Sequence, residues 1–169
     1  MIKFTTVDTE FGWVGLVGSD TGLAFLILPK SSRKAALSEI KELAADTVED
    51  TSAFSDLPGR LQRYFNGEKV LFSDILDLGD ATTFDRAVWN ATLSIPYGET
   101  RSYAWIAQQI GSPQAFRAVG GALARNPFPI IVPCHRVVAS SGNLGGFGGG
   151  LPLKKRLLEL EAGGLRALS

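Results

Sequence analysis

The chain is poor in the residues that build cross-links and metal cages: its 169 residues include one cysteine, one histidine and one methionine. A single thiol excludes an internal disulfide framework and makes a reducing compartment the natural home. One Cys and one His cannot close a tetrahedral zinc site, so no metal or other cofactor is expected. No apolar run is long enough to span a bilayer, and Met1-Ile2-Lys3-Phe4-Thr5-Thr6 lacks the layout of a secretory signal. These absences predict a cytoplasmic protein with no membrane association. Carboxylates are missing too: none occurs between Thr100 and Leu158, where Arg101, Arg117, Arg125, Arg136, Lys154, Lys155 and Arg156 all stand. The net charge of zero hides this asymmetry. Residues 1–81 hold 8 Lys/Arg against 13 Asp/Glu, and residues 82–169 hold 9 against 4. A stretch that repels no phosphate backbone predicts a polyanionic partner.

The sole cysteine, Cys134, stands directly before the sole histidine, His135, in Ile130-Ile131-Val132-Pro133-Cys134-His135-Arg136-Val137-Val138. Two readings of that pair compete at this point: a small buried Cys beside a surface His, or a nucleophile activated by a neighbouring imidazole. Pro127, Pro129 and Pro133 exclude a long helix here, so the thiol is expected at the end of an extended, strand-like segment.

The chain divides where the charge changes sign, at Asp77-Leu78-Gly79-Asp80-Ala81, which predicts domains over 1–80 and 81–169. The first reads as an α/β domain, a small antiparallel sheet with helices. It has strands in Ile2–Val7, Trp13–Val17 and Leu23–Leu28, helices from Ser32 to near Ala45 and over Leu57–Phe65, and a further strand over Val70–Ile75. The second reads as mostly α, with a helix over Thr83–Leu93. A Ser102-capped helix to Ile110, the turn Gly111-Ser112-Pro113 and a helix over Gln114–Arg125 then form a helix-turn-helix.

The second of these helices contains Arg117-Ala118-Val119-Gly120-Gly121-Ala122. Each interior glycine costs about 1 kcal/mol relative to alanine. Such a cost suits a backbone that must approach another surface closely, either a packed helix or a narrow nucleic-acid groove with Arg117 free to enter the base stack.

Taken together, Arg117–Ala122, Asn126-Pro127 and Pro133-Cys134-His135-Arg136-Val137, in that order, closely resemble the O6-alkylguanine-DNA alkyltransferases (methylated-DNA–protein-cysteine methyltransferases). The resemblance is strong from about Thr83 to Glu161 and weaker over residues 1–80. It implies single-turnover repair of alkylated bases in double-stranded DNA, reached by flipping the base through the minor groove, by a monomer without an obligate protein partner. It implies Cys134 as alkyl acceptor, His135 as its base acting through a water, Glu161 orienting the imidazole, and Asn126 fixing the turn that presents the thiol. By the same resemblance Tyr103 presses on the neighbouring phosphate and helps rotate the nucleotide out, and Arg117 fills the vacated stack; the leaving guanine oxygen needs a proton, which a phenol such as Tyr103 can supply. Ala118, Gly120, Gly121 and Arg125 complete the DNA-facing helix. The Val137 carbonyl, Phe147 and the Gly148 amide contact the flipped base. The chain departs from some relatives in carrying Phe147-Gly148 where they have Tyr-Ser, which predicts a less defined pocket.

The main alternative is a DNA-lesion-binding or regulatory helix-turn-helix protein without chemistry, and the presence of Cys134 counts against it. A thiol hydrolase would want its His distant in sequence and leaves the acid-free stretch without a purpose.

Overall fold

Alternating apolar residues and tight turns shape the first thirty residues into a meander: β1 (Ile2–Thr9), β2 (Gly12–Gly18) and β3 (Leu23–Lys30) pair antiparallel in sequence order. The computed structural model describes the backbone of residues 1–168 and the side chains of residues 1–163. Gly12 makes the first hairpin possible, since its φ is +121° and a Cβ there would strike the Lys30 carbonyl. Ser32 caps α1 (Arg33–Leu43) by accepting from the Ala35 amide, and Ile40 of that helix packs on Val17 and Ile27 of the sheet.

The helix also returns the chain across the sheet, so the next strand, β4 (Thr47–Glu49), runs parallel to β1. The order is β3-β2-β1-β4, a mixed sheet in place of the antiparallel one expected. In α2 (Leu57–Phe65), Leu57, Leu61, Tyr64 and Phe65 are buried, one face at helical spacing. The strand expected over Val70–Ile75 does not form. A single parallel bridge joins Leu23 to Leu76, and Leu71 and Ile75 are 80% and 75% exposed because no neighbouring strand covers them.

The chain falls into two compact units, Met1–Gly79 and Asp80–Ser169. In the second, Thr82 caps α3 (Thr83–Leu93) and Ser102 caps α4 (Tyr103–Gln109) through the Trp105 amide. A turn with Gly111 at φ +77° leads to α5 (Phe116–Ala124), which starts two residues later than its sequence pattern indicates and ends before Arg125. Trp89 anchors this helix pair, donating its indole N–H to the Ala122 carbonyl at 2.9 Å and meeting Phe128 edge-on. Two-residue strands β5 (Arg101–Ser102) and β6 (Val137–Val138) pair in parallel, and α6 (Leu151–Leu168) closes the unit.

The segment before Cys134 is not a strand. Asn126 Nδ2 donates to the Val132 carbonyl at 3.0 Å, its Oδ1 accepts the Phe128 amide at 2.9 Å, and the Val132 amide reaches back to the Phe128 carbonyl at 2.8 Å. These bonds, with three prolines, fold 126–133 into tight turns and hold Ile130 at φ +76°. A β-branched residue in that region costs of order 1–3 kcal/mol, offset here by complete burial of the turn's apolar side chains.

Candidate active site around Cys134

The turn delivers Cys134 into a short 3₁₀ segment, Cys134–Arg136, whose next residue enters β6. Pairing of Ser102 with Val138 brings the start of α4 alongside, so Tyr103 shares a cavity of about 370 Å³ with Cys134. Gly120, Leu123 and Ala124 of α5 form one wall, and Gly146, Phe147 and Gly148 another. That volume lies in the range of small-molecule sites. Gly145 has φ +73°, and a Cβ there would stand 2.5 Å from the Tyr103 hydroxyl, so only glycine lets the loop pass the phenol.

Behind the thiol lies a buried charge network. His135 Nε2 is 2.6 Å from Glu161 Oε2, and Arg136 donates to both oxygens of that carboxylate, Nε to Oε1 at 2.8 Å and Nη2 to Oε2 at 3.1 Å. The remaining Arg136 nitrogen donates to the Ile95 carbonyl at 2.8 Å, and its guanidinium lies over the Tyr97 ring. His135 and Glu161 are essentially inaccessible to solvent. Burial pushes the Glu161 carboxyl up, but hydrogen bonds and charge from His135 and Arg136 override it and hold the group at about 2. An ionised carboxylate only accepts, so the proton is on His135 Nε2 and Nδ1 is the basic nitrogen. Burial holds the imidazole below its ordinary pKa, Glu161 opposes that, and Arg136 and Lys154 add to it. At neutral pH His135 is therefore a neutral base. Glu161, on α6, is thus a buried carboxylate and not a surface one.

Burial pushes the Cys134 thiol up, while the Asn126 side chain, Lys154 and the Cys134 and His135 amides pull it down. Burial also raises the Tyr103 phenol, with the Gly146 backbone opposing.

The structure redistributes the basic stretch. Arg117, Lys155 and Arg156 are exposed, but Arg136 and Lys154 are buried and cannot meet a phosphate. Arg125, expected on the DNA-facing helix, forms a bidentate pair with the buried Asp85 at 2.7 and 3.2 Å, and Arg101 pairs with Glu99 at 3.0 Å. Ala118 is exposed with Arg117, and Gly120 and Gly121 are half-buried. A Cβ at Gly120 would be 4.0 Å from Tyr103, and one at Gly121 would meet only the Arg125 guanidinium. Helix-on-helix packing therefore does not require these glycines. The Val137 carbonyl accepts Lys154 Nζ at 2.6 Å, and the structure places Phe147 and Gly148 on the cavity wall.

Sequence reasoning missed Lys154 as a site residue, and a signal for it existed. Lys154, Leu157 and Glu161 follow i, i+3, i+7 spacing on α6 and are all buried, so the lysine lies on the inward stripe of that helix. Among the described residues no group of three or more His, Cys, Asp or Glu is placed to hold a metal, and no helix is long and apolar enough to cross a membrane.

Two sequence signatures cover the chain: "6-O-methylguanine DNA methyltransferase, ribonuclease-like domain" over residues 2–78, and "6-O-methylguanine DNA methyltransferase, DNA binding domain" over residues 83–163. A methylated-DNA–protein-cysteine methyltransferase of Mycobacterium tuberculosis is 45% identical over 161 residues, spanning 95% of this chain and 93% of its own. That of Methanosarcina barkeri is 40% identical over 163 residues, spanning 96% and 99%. Among solved structures, the Mycobacterium tuberculosis OGT in complex with DNA superposes with a TM-score of 0.81 at 44% identity, covering 96% of this chain and 94% of that one. With both signatures in place, and relatives matched over nearly their whole length, the chain belongs to the methylated-DNA–protein-cysteine methyltransferase family.

Proposed function

We propose that this protein repairs duplex DNA by direct reversal, moving the alkyl group of O6-alkylguanine, and of O4-alkylthymine where that base enters the pocket, onto Cys134 Sγ. The observation that carries this is a lone thiol opening into a base-sized cavity, backed by a fully buried His135–Glu161 pair. Flipping the damaged base out of the stack costs a few kcal/mol and brings its alkyl carbon to the thiol. The thiol proton passes to His135 Nδ1 through a water, and Glu161 stabilises the imidazolium that forms. The S–C bond forms as the C–O6 bond breaks, and the electron pair leaves with the guanine, which takes a proton from the Tyr103 phenol. The thioether has no hydrolytic route back, so one protein is consumed per lesion.

In this reading Asn126 holds the turn and the thiol, and Arg117 occupies the vacated stack. Val137, Phe147 and Gly148 meet the flipped base, while Ala118, Gly120 and Gly121 let α5 sit close to the minor groove. The DNA-binding and acceptor functions belong to residues 81–169, and residues 1–80 form a separate α/β domain. The protein works as a cytoplasmic monomer, where the thiol stays reduced, with no cofactor and no obligate protein partner. Intact mass spectrometry after mixing with an O6-methylguanine duplex is expected to show one added methyl group, mapped to Cys134 and absent in Cys134→Ala. Multiple turnovers, or a methyl group elsewhere, would overturn the reading.

A further inference from the structure

Lys154 is the most unusual charged side chain in the molecule. It is completely buried, yet among the described residues its charge meets no carboxylate: Nζ donates to the carbonyls of Val137 at 2.6 Å and Gly146 at 3.2 Å, and stands 5.9 Å over the Tyr103 ring. Lysine is almost never fully buried without a counter-charge. Two of these partners line the acceptor cavity and the third flanks it. Val137 follows the Cys-His-Arg turn, Gly146 lies in the loop opposite, and Tyr103 shares the cavity with the thiol. We propose that Lys154 is a positioning residue of the acceptor, tying the Gly146 loop that walls the base pocket to the strand that follows Cys134-His135-Arg136, and supplying the positive charge that the Cys134 thiolate lacks. The inference rests on Cys134 being the acceptor, and it gives an ammonium a reason to be buried where no acid neutralises it.

The electrostatics agree with this geometry. Lys154 pulls the Cys134 thiol down and Cys134 in turn pulls Lys154 up, while burial brings the ammonium to about 8. The other groups facing this space are the Tyr103 phenol and, behind the thiol, His135, Arg136 and Glu161. The Arg136 charge is taken up by Glu161, which leaves Lys154 as the cation offered to the thiolate.

The test uses full-length protein and iodoacetamide, a probe that needs neither DNA nor guanine, so its result stands apart from the repair reading. Lys154→Met removes charge and tether, Lys154→Gln removes the charge but keeps a donor, and Lys154→Arg keeps the charge. The Cys134 alkylation profile is expected to move to higher pH in the Met and Gln variants, with a rate at pH 7 at least tenfold lower, and to be largely restored in the Arg variant. DNA affinity and its salt dependence should not change, because Lys154 is buried. An unshifted profile in folded Met and Gln variants overturns the proposal. Should these variants not fold, NMR titration of the lysine side chain in wild type and Cys134→Ala decides: Lys154 is expected to titrate at lower pH without the thiol, and an unchanged midpoint overturns the proposal.

A separate observation concerns Phe116, the first residue of α5, which is 46% exposed beside Arg117. At 100° per residue, Phe116 falls on the same side of α5 as Gly120 and Leu123, which wall the Cys134 cavity, whereas Arg117 lies beside Ala124 in the middle of the exposed face. An apolar ring on the cavity side of the stacking arginine has the form of a minor-groove wedge. We infer that Phe116 enters the base step on the pocket side and directs the extruded nucleotide toward Cys134. This rests on the flipping role of α5. Phe116→Ala is expected to slow reaction with an O6-methylguanine duplex three- to tenfold and to leave reaction with free O6-benzylguanine unchanged, with Phe116→Leu between. Unchanged duplex reaction, or equal loss on both substrates, would overturn the wedge.

Discussion

The two units handle charge in opposite ways. Met1–Gly79 buries no charged side chain, only apolar groups with the Thr5 hydroxyl and the Tyr64 phenol among them, and its ion pairs, such as Arg33–Glu49 at 2.7 Å, lie at the surface. Its most shielded pair, Arg60–Asp74, remains partly accessible. Asp80–Ser169 instead buries Asp85, His135, Arg136, Lys154 and Glu161. Taking several charges out of water costs several kcal/mol each before their partners offset it. A fold accepts that cost where the groups do chemistry, because low dielectric and fixed partners set their protonation states. The N-terminal unit has the charge layout of a structural scaffold, and the C-terminal unit that of a reactive site.

The sharpest way to break this contrast is Glu161→Gln. It leaves Arg136 as an uncompensated buried cation, which costs about 3–5 kcal/mol. Thermal or urea unfolding is expected to show that loss together with slower alkyl transfer, and a variant as stable as wild type would remove the distinction between the units. His135→Ala is expected to slow transfer by about 10²–10⁴-fold at neutral pH while sparing DNA affinity. Single-turnover kinetics beside a binding titration would measure both, and a wild-type rate would displace His135 as the base.

Arg117→Ala is expected to slow reaction with duplex while sparing free O6-benzylguanine, which needs no extrusion. Arg117→Lys should recover only part, because lysine lacks the planar stacking face. Equal loss on both substrates would move Arg117 from the groove to the pocket.

The pH dependence sharpens the contrast further. His135 lies below its ordinary value of 6.5, and Glu161 lies at about 2 against an ordinary 4.5. Both folded values are depressed, so below those ordinary values the unfolded chain binds more protons. The stability they confer is full above about 6.5 and is lost as pH falls, first through His135 and then between 4.5 and about 2 through Glu161. Lys154, lowered from 10.5 to about 8, acts in the same direction and adds stability as pH rises between those values. Melting curves from pH 3 to 10 would show stability climbing with pH to about 6.5 and climbing again above about 8, and a flat response between pH 7 and 4 would count against a neutral buried imidazole. The smallest effect belongs to the other unit: Arg33→Ala should change stability by less than about 1 kcal/mol, screened further by salt.

Local pattern carried much of this protein in its sequence. Leu57–Phe65 and Thr83–Leu93 are helices with the bounds their apolar spacing predicts, and Ser32 and Ser102 cap where their side chains suggest, because capping and periodicity act within one or two turns. The adjacency of Cys134 and His135, the acid-free stretch and the interior glycines likewise need no coordinates. Tertiary structure alone decided the rest. β4 joins β1 in parallel because α1 carries the chain back over the sheet, and Val70–Ile75 is held by Arg60 and Tyr64 side chains and a single bridge to Leu23 in place of a strand ladder. The apolar run before Cys134 becomes a turn because Asn126 closes it with two side-chain hydrogen bonds. Seven basic residues of equal standing in the sequence part company in the fold: Arg117, Lys155 and Arg156 are exposed, Arg101 and Arg125 pair with Glu99 and Asp85, and Arg136, paired with Glu161, and Lys154 lie inside beside the thiol. A sequence gives a residue's charge, but only packing fixes whether water or a buried partner answers it, and at Glu161 and Lys154 that difference sets the chemistry of the site.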